Sequence, residues 1–261
     1  MDLMRSLILA REFLQLRSEF DKHFEIVPAT TPDLVEACFK VRYRVYCEEL
    51  RWEPLNDEKL EYDQFDEHAL HILLRSKRLN EFVGCIRLIR CNPDRPFDRL
   101  PIELSCFHTL DYRLLENLAI PRTAMAEVSR LAVDSRFRRR KGEFVRPVGL
   151  SDEDYGSLAK PRFPFIPVGL YLAMLESAQI HGIDTLYMLT EPWLVQHLRR
   201  LGIRIEPIGG AITHHGERIP SLMSVGVTIR SLHLLVRPLF NSISTTVHAA
   251  YQVPHEWRMA V

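Results

Sequence analysis

The chain has 261 residues, room for one large or two small domains, and its 46% hydrophobic and 26% charged content fits an ordinary globular core. Lys plus Arg and Asp plus Glu are both 34, so overall charge leaves no footprint for nucleic acid or a polybasic membrane sensor. Five cysteines (Cys38, Cys47, Cys85, Cys91, Cys106) form no CxxC pair; they read as buried, reduced thiols of a cytoplasmic protein rather than as a disulfide framework or a nucleophile.

In chain order, the apolar patch of MDLMRSLILAREFLQLRSEF is broken by Arg11 and Glu12. It is too short for a secretion signal or a bilayer span, so residues 1–23 are expected as an amphipathic helix. FEIVPA (Phe24–Ala29) alternates like a strand. Thr31 or Asp33 then caps a helix expected over Asp33–Leu50, with Leu34, Cys38, Val41 and Val45 at helical spacing. A second stripe, Val35, Phe39, Arg42 and Tyr46, puts Arg42 on a mostly apolar ribbon, where it either snorkels outward or turns inward as an anion clamp. HALHILLRSK and FVGCIRLIR read as a hairpin, and NPDRPFDRLP breaks the pattern.

AMAEVSRLAVD is the next strand, PFIPVGLYLAMLESAQIHG a helix and TLYMLTE a strand, a β-α-β unit that demands a parallel pair. EPWLVQHLRRLG is a helix ended by Gly202, and RIEPIGGAI a further strand. Ser224–Ile243 is apolar but interrupted by Arg230, His233, Arg237 and Pro238. It reads as a packed terminal element, with peripheral membrane contact as the second reading. No helix-and-strand repeat or linker divides the chain. A single mixed α/β sandwich is expected.

Charges inside apolar runs mark where stability is given up for another purpose. Six acids lie between Asp57 and Glu67; Asp57 and Glu58 suit a solvated loop, whereas Asp63 and Asp66 flank Phe65 and lead into a strand. Arg87 shares parity with Cys85 and Ile89 and needs a carboxylate, with Asp66 the nearest candidate. Glu127 and Ser129 share a strand face. Arg130 joins them only if the strand bulges near Val128–Arg130. Arg136, Arg138, Arg139, Arg140 and Lys141 form a basic run that suits an anionic partner or a plain exposed turn.

VRYRVYCEELRW, EYDQFD, GCIRLI and EVSRLAVD, in that order and spacing, resemble the LuxI-like autoinducer synthases and the related N-acyl amino acid synthases. RYRVYCEE, DEHALHILL, AEVSRLAVDSRFRRR and HHGERIP are most similar to the PEP-CTERM/exosortase system-associated acyltransferases. The resemblance runs from about Phe24 to about Pro220. It implies a GNAT-like acyltransferase fold over 24–220, a mixed central sheet flanked by helices whose parallel strands splay to admit an acyl thioester. Residues 1–23 and 221–261 would be extensions packed on that domain.

The resemblance further implies that Arg42, Tyr46 and Trp52 close over an amine substrate and that Asp66 with Arg87 forms a structural ion pair. Asp63, Arg87, Glu127 and Arg130 would match the polar site. The phosphate loop of acetyl-CoA users departs here: Arg139-x-x-Gly142 is followed by Glu143-Phe144, and a Pro- and charge-rich insertion spans about 144–164. Both departures favour an acyl carrier protein, docked on Arg136 and Arg138–Lys141, over acyl-CoA as donor; no bound cofactor or metal is expected. The expected reaction is attack of an amine on a fatty acyl thioester. Glu127 is the first candidate base and Asp63 the second; Arg42 or Arg130 holds the substrate carboxylate, and Glu61 and Ser129 complete the substrate-binding set. Apolar residues of Phe165–Gly182 and TLYML would line an acyl tunnel. The amine is an amino acid, or S-adenosylmethionine if the chain is an acyl-homoserine lactone synthase; a third reading is a non-catalytic carrier-protein or lipid binder.

Overall fold

A computed structural model describes residues 16–252 apart from 93, 96, 138–164, 201 and 235; of residues 165, 193, 196, 197 and 200 it describes the backbone but not the side chains. Helix α1 (residues 16–23) leads into β1 (Phe24–Pro28). Thr31 caps α2 (Pro32–Tyr43) by accepting from the Leu34 amide at 3.4 Å. The expected long helix then changes pitch: Arg44–Glu49 is a single π-helical segment, a form concentrated at functional sites.

The hairpin is β2 (Ala69–Ser76) and β3 (Glu81–Arg90). Two short helices that the pattern missed follow, α3 (Pro101–Ser105) and α4 (Tyr112–Leu118). Then come β4 (Met125–Val133), α5 (Phe165–Ile180), β5 (Thr185–Thr190) and α6 (Pro192–Arg200). Gly202 ends α6 at φ +86, and a Cβ there would sit 2.2 Å from the Ser231 carbonyl oxygen.

The segment RIEPIGGAI is not the strand expected from its alternation. Only β6 (Glu206–Pro207) and β7 (Ile212–Thr213) pair, and the long strand is β8 (Glu217–Ser224). Pro220 within β8 hid it from the sequence pattern, since a proline cannot donate to a ladder. Helices α7 (Val225–Ser231) and α8 (Arg237–Gln252) close the described chain, with α8 laid on α5 and β1. Among the described residues no helix is long and apolar enough to cross a membrane.

The strands run in the order β1-β2-β3-β4-β5-β8-β6, all antiparallel except β4 with β5. One face packs the main core through α5, with Ile72, Leu74, Ile86, Leu88, Ala126, Val128, Leu186 and Met188. The other face carries two smaller apolar clusters. Leu73, Cys85 and Ala132 meet α2 and the π segment, and Ile89, Tyr187 and Leu222 meet α3. Between them one cross-strand row is polar: His71, Arg87 and Ser129 lie opposite one another on β2, β3 and β4. The cysteines are free, four of the five buried, and burial pushes the Cys38 thiol well above its usual range and that of Cys85 to about 12. Those thiols are packing residues rather than nucleophiles.

Candidate active site

Two breaks in the sheet make the site. The parallel ladder of β4 with β5 pairs Met125–Val128 with Thr185–Met188 and then stops, although both strands continue. Beyond Val128 the backbone of β4 has no ladder partner on its β5 side. The second break lies between β3 and β4: from Cys85↔Ala132 to Arg87↔Ser129, β3 advances two residues and β4 three. The extra residue is a bulge that holds Arg130 at φ +52, a left-handed conformation rare outside glycine. It re-aims Arg130 to the face of Ser129 and Glu127. The condition set by strand parity is met.

Over the polar row lies the segment 61–66, clamped by three arginines. Arg42, wholly buried, donates Nε to Glu61 Oε2 and both terminal nitrogens to Asp66, at 2.6 and 3.1 Å. Arg87 donates Nη1 to Asp63 Oδ1 at 2.7 Å and Asp66 Oδ1 at 2.8 Å, and Nε to Ser129 Oγ at 3.0 Å. Arg130 reaches Glu61 Oε1 at 3.1 Å and Asp63 Oδ2 at 3.3 Å, with Glu53 at 3.8 Å. Arg87 and Asp66 are therefore in contact, but the bidentate partner of Asp66 is Arg42.

Burial alone would raise the Asp66 pKa; hydrogen bonds and charge from Arg42 and Arg87 instead hold it down at about 2. The same balance, set by Arg87 and Arg130, lowers Asp63. His71, which the sequence reading passed over, sits 3.6 Å from Asp66 Oδ1 with its Nε2 unbonded, and burial depresses its pKa to about 4, so it is neutral.

A cavity of about 310 Å³ opens beside this network, in the splay. Its walls include Asp63, Arg87, Glu127, Ser129 and Arg130 on one side and Met188, Leu189, Thr190, Leu194 and Arg218 on the other. Among the described side chains of α5, Tyr171 alone reaches it; the others packed inward belong to the main core. Tyr46 and Trp52 line it as expected. The Tyr46 hydroxyl donates to the Leu131 carbonyl at 3.0 Å, and its ring stacks on Trp52. Trp52 stacks in turn on His215 at 4.4 Å and 6°, closing the cavity with the β7–β8 turn.

Glu127 is the unusual acid. It is 5% exposed, faces the cavity, and accepts from the Ile102 amide at 2.7 Å. Burial pushes its pKa up to about 8; the Ile102 amide and the Arg87 charge offset only part of that. A carboxyl poised near neutrality beside a cavity exchanges protons where Asp63 and Asp66 do not.

Three expected positions fall elsewhere. Arg42 and Glu61 are absent from the cavity wall, because Arg42 spends Nε, Nη1 and Nη2 on Glu61 and Asp66, and Glu61 lies between Arg42 and Arg130. The carboxylate clamp expected of Arg42 is thus closed off, and Glu61 is buried in the network. Arg136 is held by Asp134 at 2.9 Å and Glu81 at 2.6 Å. Arg138, Arg139, Arg140, Lys141, Gly142 and the insertion 144–164 lie outside the described residues.

Residues 41–146 match the model of the acetyltransferase (GNAT) domain. Three solved structures share the fold. The acyl-homoserine lactone synthase LasI is 19% identical, with a TM-score of 0.54 over 81% of this chain and 95% of its own. FeeM, an N-acyl amino acid synthase from uncultured soil microbes, is 18% identical, with a TM-score of 0.53 over 82% and 96%. The CoA-dependent acyl-homoserine lactone synthase MesI is 23% identical, with a TM-score of 0.51 over 83% and 94%. No curated protein matches the chain. The chain thus carries a match to the GNAT acetyltransferase domain over residues 41–146 and is similar in fold to N-acyl amino acid and acyl-homoserine lactone synthases.

Proposed function

We propose that the protein transfers a fatty acyl group from an acyl thioester to the amine of an amino acid, giving an N-acyl amino acid and a free thiol. The observation that carries this reading is Glu127, a buried carboxyl held near pKa 8 at the edge of the splay between β4 and β5. An amine arrives as an ammonium and must lose a proton before it attacks the thioester carbon. Glu127 takes that proton, directly or through one water, and the thiolate leaves and is protonated. Amides of β4 beyond Val128, free of the β5 ladder, are placed to meet the oxyanion, at about 2.7–4 kcal/mol per donor. Asp63, kept ionised by Arg87 and Arg130, is a poor base and a good acceptor for the ammonium. Val128, Leu131, Met188, Leu189 and Leu194 receive the start of the acyl chain.

The donor in this reading is an acyl carrier protein carrying phosphopantetheine, with acyl-CoA as the competing donor; MesI is CoA-dependent. The likeness of fold to FeeM supports an amino acid as the first acceptor, and the likeness to BjaI, an acyl-homoserine lactone synthase solved with S-adenosylmethionine, keeps that molecule as the second. The test is thiol release from matched acyl-carrier-protein and acyl-CoA donors with each amino acid and with S-adenosylmethionine. Release with an amino acid and mass-spectrometric detection of its N-acyl form are expected. Release only with S-adenosylmethionine makes the protein an acyl-homoserine lactone synthase, and no release with any amine supports a non-catalytic binder.

A further inference from the structure

The cavity has a second polar wall that the acid–arginine network does not explain. Arg218, on β8, lines it with its side chain 12% exposed. Its Nη2 pairs with Glu191 at 2.9 Å and its Nε donates to the His214 carbonyl at 3.2 Å, while Nη1 has no partner among the described residues. Each of the other three arginines faces two or three carboxylates; Arg218 faces one. Two hydroxyl residues, Tyr171 and Thr190, line the same cavity. Thr190 Oγ1 is buried without a hydrogen bond, whereas Tyr171, a 5% exposed residue, lines the cavity with a hydroxyl that makes no hydrogen bond among the described residues.

Unsatisfied buried donors are unfavourable unless a ligand completes them. A guanidinium with an open nitrogen beside two open hydroxyls is the donor set that a carboxylate satisfies. We propose that Arg218, supported by Tyr171 and Thr190, is the carboxylate-binding pole of the acceptor site, taking the place that Arg42 cannot fill. The acceptor is then an α-amino acid moiety. Its ammonium lies toward Asp63 and Glu127, and its carboxylate lies toward β8. The β7–β8 turn fixes this pole from outside, because His215 at φ +50 and Gly216 at φ +110 turn the chain back so that His215 stacks on Trp52. The inference rests on the acyltransfer reading above, and the chemistry is shared by a free amino acid and by the amino acid end of S-adenosylmethionine.

The experiment compares the full-length wild type with Arg218→Gln and Arg218→Lys. Binding of each amino acid and of S-adenosylmethionine is measured by calorimetry, and thiol release in parallel; the best acceptor is then offered as its free acid and as its amide. In the wild type the free acid is favoured over the amide by about 10–100-fold in Kd or KM, the range of one charge-assisted contact. Arg218→Gln removes that preference by weakening the free acid more than the amide, and Arg218→Lys restores part of it. A merely structural role would weaken acid and amide alike. The proposal is overturned if the preference survives in Arg218→Gln, if the wild type does not distinguish acid from amide, or if no carboxylate-bearing amine binds. It is also overturned if the substitution alters the choice among acyl donors instead. Amino acid binding that depends on Arg218 without any thiol release would sink the acyltransfer reading and leave the carboxylate pole standing. The preferred ligand tells which source supplies the carboxylate.

Discussion

Two sets of polar groups lie within one site and are built on opposite terms. In the network of Arg42, Glu61, Asp66 and Arg87, every carboxylate is paired, and Arg42 is sealed from solvent. On the cavity wall, burial raises the Glu127 pKa to about 8, and Arg218, Tyr171 and Thr190 keep donors without partners among the described residues. The difference separates support from chemistry. An ion network whose carboxylates are all paired fixes the segment 61–66 over the sheet, whereas open valences on the cavity wall mark where a ligand completes the structure.

The largest effect on stability should come from breaking the sealed set. Arg42→Ala leaves Glu61 and Asp66 without their shared cation and is expected to cost about 3–5 kcal/mol, read from urea unfolding. A loss near 0.5 kcal/mol would show that water enters the network and would erase the contrast. The two sets should also respond to pH with opposite sign. The folded pKa of Asp66 lies below its ordinary 3.8, at about 2, so its contribution is present above about pH 4 and lost as pH falls through 2. The folded pKa of Glu127 lies above its ordinary 4.5, near 8, so its contribution is full below 4.5 and lost as pH rises through 8. Asp66→Asn should flatten the acid limb of a Tm-against-pH curve, and Glu127→Gln the limb between pH 4.5 and 8. Equal slopes in wild type and variant would contradict the assignment. The smallest effect is expected at the closure: His215→Ala removes one ring stack, about 0.5–1.5 kcal/mol, and a chemical-denaturation midpoint resolves a change of that size.

Much of the scaffold was legible in the sequence, because alternation and helical spacing record burial on one face. The strands from Phe24 to Thr190 and the helices α5 and α6 fall where their patterns place them, and α2 starts where expected but gives way at Arg44 to the π-helical segment. Misses have local causes. Pro220 disguised β8, and α3 and α4 are too short for a period to register, although Pro101 and the cap Asp111 were their signals. The site was legible as a list of charges but not as a map of partners. Parity put Arg87 on a buried face and required a bulge for Arg130, both properties of a single strand. Which arginine Asp66 binds depends on how α2 lies over the sheet, and the β7–β8 turn reaches Trp52 from more than 150 residues away in sequence. No spacing rule carries that distance.

The most direct test of the central claim, that Glu127 is the proton acceptor in the splay, is the pH profile of thiol release for wild type and Glu127→Gln with the same donor and amine. The wild-type kcat/KM should rise with pH and level off above an apparent pKa near 8, and the variant, folded by its thermal transition, should be slower by roughly 10²–10⁴ with that inflection gone. A variant that keeps both the rate and the inflection would contradict the account.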